Sequence, residues 1–283
     1  MSRLPTLKPI DYLMIGHITS DLQQDGSSKL GGTVSFSGLT AQRLGHEVGV
    51  VTSHASDLHF PTLSGLSLVN VHSEKTTTFS NVPTPQGRVQ YCYERANSLS
   101  VEDVPEQWID SAIVHIGPVA SEIEPNLFHA FSQSLLCLTA QGCLRKIDED
   151  GLVSFEDWSA KADLLPKTDA VVLSLEDLQK DEDLVAEFAS MCKLLVITES
   201  SKGARVYWKQ EVRHIPAPSR NLVDDTGAGD VFAACFFHRL KVTEDPWEAA
   251  RFAVELSANS VTRYYLDSIP TSDEIEHARM QYK

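Results

Sequence analysis

The chain predicts an α/β fold, a mostly parallel sheet flanked by helices on both faces and carrying a small β lid. Three observations predict it. Short runs that are apolar on both faces alternate with segments of helical periodicity along 283 residues, as expected of strands covered by helices on two sides. A glycine-rich acidic turn, Asp224-Asp225-Thr226-Gly227-Ala228-Gly229-Asp230, opens directly into the apolar run 231–237, which reads as the entrance to a buried helix. Two segments, approximately 17–32 and 74–95, break the alternation and read as the lid.

In chain order, residues 11–16 read as a buried strand ending at Gly16. Residues 17–32 are polar, with Asp25-Gly26 as a turn. Residues 34–44 carry Phe36, Leu39, Thr40 and Leu44 at helical spacing and stop at Gly45. Residues 47–52 form the next strand. Residues 76–79 and 87–93 read as two strands around a Pro-x-Pro loop. Buried strands follow at 112–117, 135–138, 170–173 and 194–198, and residues 203–208 and 211–215 form a hairpin around Lys209-Gln210. Repeated strand–helix units imply right-handed crossovers. Ligands of such sheets gather at the carboxyl ends of the strands, so the loops after Gly16, Gly117, Leu138, Leu173 and Thr198 are expected to line a site.

Composition narrows the function. Hydrophobic residues make up 42% and charged residues 22%, ordinary for a globular chain. The length suits one large core, so 1–283 is expected to be a single domain. A net charge of −15 repels phosphate backbones and anionic lipid, which disfavours nucleic-acid and membrane-surface partners. Five cysteines (92, 137, 143, 192 and 235) lack Cys-x-x-Cys spacing and read as free thiols of a reducing compartment. Residues 1–9 hold no signal-peptide run and nothing approaches a membrane span. A soluble cytoplasmic protein is expected.

The turn at 227–230 suits anion binding. Main-chain N–H groups of Gly227, Ala228, Gly229 and Asp230 would converge at a helix N-terminus, where unpaired donors and the helix dipole favour negative charge. Asp230 is then placed to take a proton from a hydroxyl attacking that anion. Gly31-Gly32 would let backbone approach a ligand closely, and Thr33 would cap the next helix or touch substrate. Arg145 suits either an oxyanion contact or a surface salt bridge. The histidines, His54 and His115 among them, show no metal-ligand spacing.

Asp-Asp-Thr-Gly-Ala-Gly-Asp resembles the second signature of the ribokinase-like, or PfkB-type, carbohydrate kinases. Gly31-Gly32-Thr33-Val34-Ser35-Phe36 running into Leu44-Gly45 resembles their first. Weaker matches between the pair extend the likeness over essentially the whole chain. The resemblance implies an ATP-dependent kinase acting on a hydroxyl of a small sugar or polyol, with magnesium bridging the nucleotide phosphates. It implies that Asp21 holds acceptor hydroxyls and that the β lid closes over the acceptor. Ser174-Leu175-Glu176-Asp177 stands where the family has Asn-x-x-Glu, which places Ser174 at the phosphates and Asp177 at the metal. Thr198-Glu199-Ser200-Ser201-Lys202-Gly203 resembles the nucleotide loop Thr-x-Gly-x-x-Gly, with Ser200 for its first glycine. Asn259 lies on the helix that in the family flanks adenine, and Asp224 is a candidate for a monovalent cation. Phe36 replaces the usual asparagine. Gln141-Gly142-x-x-Arg145 resembles the myo-inositol-kinase-like branch. The altered nucleotide motifs also imply a degenerate member that senses a ligand or acts as an assembly partner. A nucleoside kinase is the third reading. The lid sheet offers a face for a homodimer.

Overall fold

The computed structural model describes residues 7–56, 60–84 and 87–281. From the N-terminus, β1 (Tyr12–Ile15) leads into the hairpin of β2 (Thr19–Leu22) and β3 (Ser28–Gly31). Next come α1 (Thr33–Arg43), β4 (Val48–His54) and β5 (Ser67–His72). A second hairpin pairs β6 (Thr78–Thr84) with β7 (Gly87–Glu94). Then follow β8 (Ile113–Ile116), β9 (Leu135–Thr139), the short ladder of β10 (Arg145–Ile147) and β11 (Val153–Phe155), and one turn of helix, α2 (Lys161–Leu164). The chain continues through β12 (Ala170–Ser174), α3 (Glu182–Met191), β13 (Leu194–Thr198), β14 (Ala204–Trp208) and β15 (Glu211–Ile215). It ends in α4 (Ala228–Thr243), α5 (Pro246–Ser260) and α6 (Ser272–Gln281).

The main sheet has nine strands in the order β15-β14-β13-β12-β9-β8-β1-β4-β5. Its strands pair parallel from β13 to β5, and the β13–β14 and β14–β15 pairings are antiparallel. Alternate residues of each central strand feed opposite cores: in β1, Tyr12 and Met14 pack on one face and Leu13 and Ile15 on the other. Each such fully buried side chain contributes roughly 1.5–3 kcal/mol of transfer free energy. The helix α4 is buried almost all round, with Val231, Phe232, Cys235, Phe236 and Phe237 sealed between the sheet and its neighbours α1 and α5. That burial accounts for its lack of a polar stripe.

The segments 17–32 and 74–95 meet in a second, four-stranded sheet ordered β3-β2-β6-β7. Here β2 runs parallel to β6, and the other two pairings are antiparallel. Pro85 and Gln86, within the anticipated Pro-x-Pro loop and beside it, lie outside the described residues. Phe79 and Cys92 point inward onto Val119 and Ala120, while Leu22, Val82 and Tyr93 are exposed. All five cysteines are free. Among the described residues no helix is long and apolar enough to cross a membrane.

Candidate active site

The chain leaves β1 in both lateral directions, first to β4 and β5, later to β8 and beyond. A crevice therefore opens at the carboxyl ends of β1 and β8, as expected where strand order reverses. The two strand ends nearly touch there, since a Cβ on Gly16 would collide with the Gly117 carbonyl. Just beyond, the fully buried Glu122 carboxylate ties the diverging loops together. It accepts the backbone N–H of His17 at 3.0 Å, of Val119 at 3.0 Å and of Ala120 at 2.7 Å.

Asp21 sits on β2, where the Thr19 hydroxyl donates to its Oδ1 at 2.9 Å. Its carboxylate lies against Gly31 so closely that a Cβ there would meet both Asp21 Oδ2 and Thr19 Oγ1. Gly32 has φ +88 and stands as the N-cap of α1, with its α-carbon against the His17 carbonyl. Thr33 is therefore the first helical residue, and the expectation that it caps α1 is corrected. Its hydroxyl hydrogen-bonds the Asp230 carboxylate instead, leaving the cap position to a residue that tolerates positive φ. Arg145 enters from β10, donates to the Val119 carbonyl at 2.7 Å, stacks over Phe79 of the lid sheet, and exerts its charge on Asp230.

The turn at 227–230 enters α4 through a left-handed glycine. Gly227 takes φ +76 as the N-cap of α4, and a Cβ there would run into the Phe36 ring. A Cβ on Gly229 would meet nothing within 4 Å, so the turn faces open space. The Ala228 N–H donates to the Asp225 carbonyl at 3.1 Å, which removes it from the set of four amides expected to converge. Among the described residues the N–H groups of Gly227, Gly229 and Asp230 have no backbone partner. Asp224 braces the turn: its Oδ1 accepts Thr226 N–H at 2.9 Å and its Oδ2 accepts Tyr265 N–H at 3.0 Å. Burial pushes the Asp224 carboxyl up, yet these bonds outweigh it and hold it below its usual range. With both oxygens on amides, any monovalent cation there would need main-chain carbonyls as well.

Asp230 is half-buried in the first turn of α4. Burial raises its carboxyl to about 7. The Thr33 hydrogen bond and the Arg145 guanidinium pull it down, and the Asp177 and Asp21 carboxylates push it up. The structure thus gathers Asp21, Gly31, Thr33, Arg145 and Asp177 around Asp230. It does not gather the remaining residues so closely. Ser174 and Thr198 are register partners at the ends of β12 and β13. Ser174 and Asp177 form a reciprocal box, Asp177 Oδ2 accepting Ser174 N–H at 2.9 Å and Ser174 Oγ accepting Asp177 N–H at 3.0 Å. Gln141 donates to Asp177 Oδ1 at 2.9 Å. Gly203, at φ +103, closes the loop after β13 by accepting Glu199 N–H at 2.7 Å. Asn259 faces Arg220, whose Nε donates to its Oδ1 at 2.7 Å while Nη2 binds Glu255 at 2.8 Å.

Among the described residues no group of three or more His, Cys, Asp or Glu side chains could hold a metal. Both Asp177 oxygens already accept amide N–H groups, from Gln141 and Ser174, so a magnesium ion there would be held mainly by donor phosphates and water. Two residues of the site carry no motif of their own. Glu122 works through backbone amides, of which His17 is far along the chain, and Tyr265 joins Asp224 and Phe36 from a turn after α5.

Residues 132–272 match the model of the pfkB family carbohydrate kinases. The chain is 24% identical over 254 residues to the cytidine kinase of Thermococcus kodakarensis, covering 80% of this chain and 87% of that one. It is 27% identical over 203 residues to the inositol 3-kinase of Zea mays, covering 69% of this chain but only 51% of the plant protein. A solved pyrophosphate-dependent kinase in the ribokinase family, complexed with a pyrophosphate analog and myo-inositol, superposes with a TM-score of 0.78 at 21% identity, covering 94% and 99% of the two chains. The chain thus carries a pfkB family carbohydrate kinase domain, matched over residues 132–272, and has the ribokinase-like fold.

Proposed function

We propose that the protein transfers the γ-phosphoryl group of ATP to a hydroxyl of a small neutral sugar or polyol, of the myo-inositol or ribose type. One observation carries this: a carboxylate titrating near neutrality, Asp230, stands beside an open turn of unpaired amides and opposite a second carboxylate, Asp21. Asp21 and the Gly31-Gly32 backbone orient the acceptor. Asp230 takes the hydroxyl proton as the acceptor oxygen bonds to phosphorus and the bond to the leaving phosphate breaks. The amides of Gly227 and Gly229 stabilise charge on the transferring group, where one such donor is worth roughly 3 kcal/mol. Magnesium, held by the donor phosphates and reached from Asp177, would neutralise phosphate charge. The four-stranded sheet acts as a lid that keeps water from the transfer. Ser174, Thr198, Gly203 and Asn259 line the donor side.

A second reading of the donor has one observation in its favour. The Asn259 amide is already bonded to Arg220, which brings a guanidinium to the place expected beside adenine. A guanidinium suits pyrophosphate better than a base.

The test is phosphoryl transfer measured with ATP and with pyrophosphate across myo-inositol, ribose, cytidine and fructose 6-phosphate. Turnover of a neutral polyol or sugar that falls 10²- to 10⁴-fold in Asp230→Asn supports the proposal. Binding without transfer to any acceptor would instead make the protein a ligand sensor.

A further inference from the structure

We infer that Tyr265 and Phe36 form a selecting wall of the acceptor cleft, suited to a cyclic polyol or sugar ring. The ring would lay an apolar C–H face on Tyr265, which the buried Phe36 ring backs, and offer one hydroxyl to the Tyr265 phenol. The inference rests on the acceptor cleft proposed above.

Phe36 lies one helical turn after Thr33, so the two residues share a face of α1 at the Asp230 carboxylate. Its ring covers the α-carbon of Gly227, the residue that starts the anion turn. Tyr265 meets Phe36 edge to face, with centroids 5.6 Å apart. Its backbone is held at φ +53, a conformation costing a non-glycine residue roughly 1–2 kcal/mol. That conformation is fixed by its N–H on Asp224. The phenol lies in the field of both Asp21 and Asp224, which together with burial keep it protonated. Lys29, directly across from Asp21 in the β2–β3 ladder, donates to the Tyr264 hydroxyl at 2.5 Å, with its ammonium 5.1 Å from the Tyr265 ring centroid. The wall is therefore held from the lid and from the anion turn at once.

The Tyr265 hydroxyl is buried and has no hydrogen-bond partner. Buried hydroxyls without partners are rare and unfavourable. Tyrosine at this position is unfavourable on its own account, and a ligand hydroxyl entering between Asp21 and Gly227 would supply the missing bond. A tyrosine ring backed edge to face by a second aromatic, with one polar tip, matches a ring with an apolar face and a polar edge.

Calorimetric titration of myo-inositol, ribose and open-chain glucitol into the wild type, Tyr265→Phe and Phe36→Leu tests this, with ATP affinity and the thermal midpoint measured in parallel. The wild type is expected to prefer the rings to glucitol. Tyr265→Phe should weaken the preferred ring about tenfold while ATP affinity and the thermal midpoint hold or the midpoint rises. Phe36→Leu should narrow the preference for rings. Unchanged ring affinity in Tyr265→Phe, an equal loss for ATP, or a wild type that binds none of the three would overturn the wall. Ring binding that follows these variants in a protein without transfer activity would instead overturn the kinase reading and leave the wall standing.

Discussion

Asp230 joins two demands that ordinarily conflict, a site dry enough to strengthen electrostatics and a base that is ionised when needed. Burial lifts its carboxyl to about 7, and Arg145 and Thr33 keep it from rising further. A base must be unprotonated to act, so kcat/KM is expected to fall about tenfold per unit as pH drops below about 7, and Asp230→Asn should lose that limb with its activity. Stability runs the opposite way. The folded state binds this proton more tightly than the unfolded chain, so Asp230 costs stability as pH rises from the ordinary carboxylate range through about 7. Asp230→Asn should therefore raise the thermal midpoint at pH 8 and change it little at pH 4. Ser200 offers a second test. It holds φ +51 where the family motif has glycine, so the replacement kept the left-handed turn and lost the residue that adopts it freely. Ser200→Gly is expected to stabilise the fold by about 1 kcal/mol in urea unfolding. The position of Asp230 in the first turn of a buried helix was legible because acid, glycines and apolar run are adjacent in sequence. Tyr265 was not, because its conformation and partners are set by Asp224 and Phe36, distant in the chain.

Helix α4 carries the anion turn on an end that is otherwise locked in place. Gly227 and Gly229 look equivalent in sequence, but the structure separates them. Gly227 has φ +76 and no room beside Phe36, whereas Gly229 lies within the helix facing open space. Gly229→Ala should fold at least as well as the wild type, since alanine in a helix gains up to about 1 kcal/mol over glycine. The same methyl stands where a phosphate would sit, so phosphoryl transfer should drop at least a hundredfold with the donor KM raised. Gly227→Ala should lose stability instead, and equal stability losses for both variants would count against the anion turn. Central strands such as β1, β8, β12 and β13 were legible because burial on both faces leaves unbroken apolar runs. The edge strand β5 escaped notice because its outward residues are half-exposed and mixed in type. Helix α3 escaped although its signal was present, an Asp181 N-cap followed by Leu184, Val185 and Phe188 at helical spacing. The four-stranded sheet was legible only as two odd segments, because the β2–β6 pairing that unites them spans nearly sixty positions of sequence.

At the scale of the molecule, the candidate site opens where the loops after the paired strands β1 and β8 part, and something must fix the spacing of those loops. Glu122 does so chiefly through the main chain: three N–H groups from the two departing loops converge on one buried carboxylate, with His17 Nδ1 at 4.0 Å. His17 continues the brace, its Nε2 donating to the Asn97 carbonyl at 2.8 Å and its Nδ1 accepting the Thr77 hydroxyl at 2.7 Å. Thr77 in turn accepts the Ala96 N–H at 3.0 Å. This network joins the strand ends to the four-stranded sheet that carries Asp21, and reaches Arg145 through Val119, whose carbonyl receives the guanidinium. Removing the carboxylate leaves three buried donors without an acceptor, each worth about 1–3 kcal/mol. Glu122→Ala is therefore expected to lower stability by roughly 3 kcal/mol in urea unfolding, with the m-value unchanged. Because the brace orients Asp21 and Arg145 and leaves the α4 turn untouched, the acceptor KM should rise at least fivefold while the donor KM stays within twofold. Equal rises in both would mean that Glu122 supports the fold alone and that the width of the β1–β8 crevice is set elsewhere.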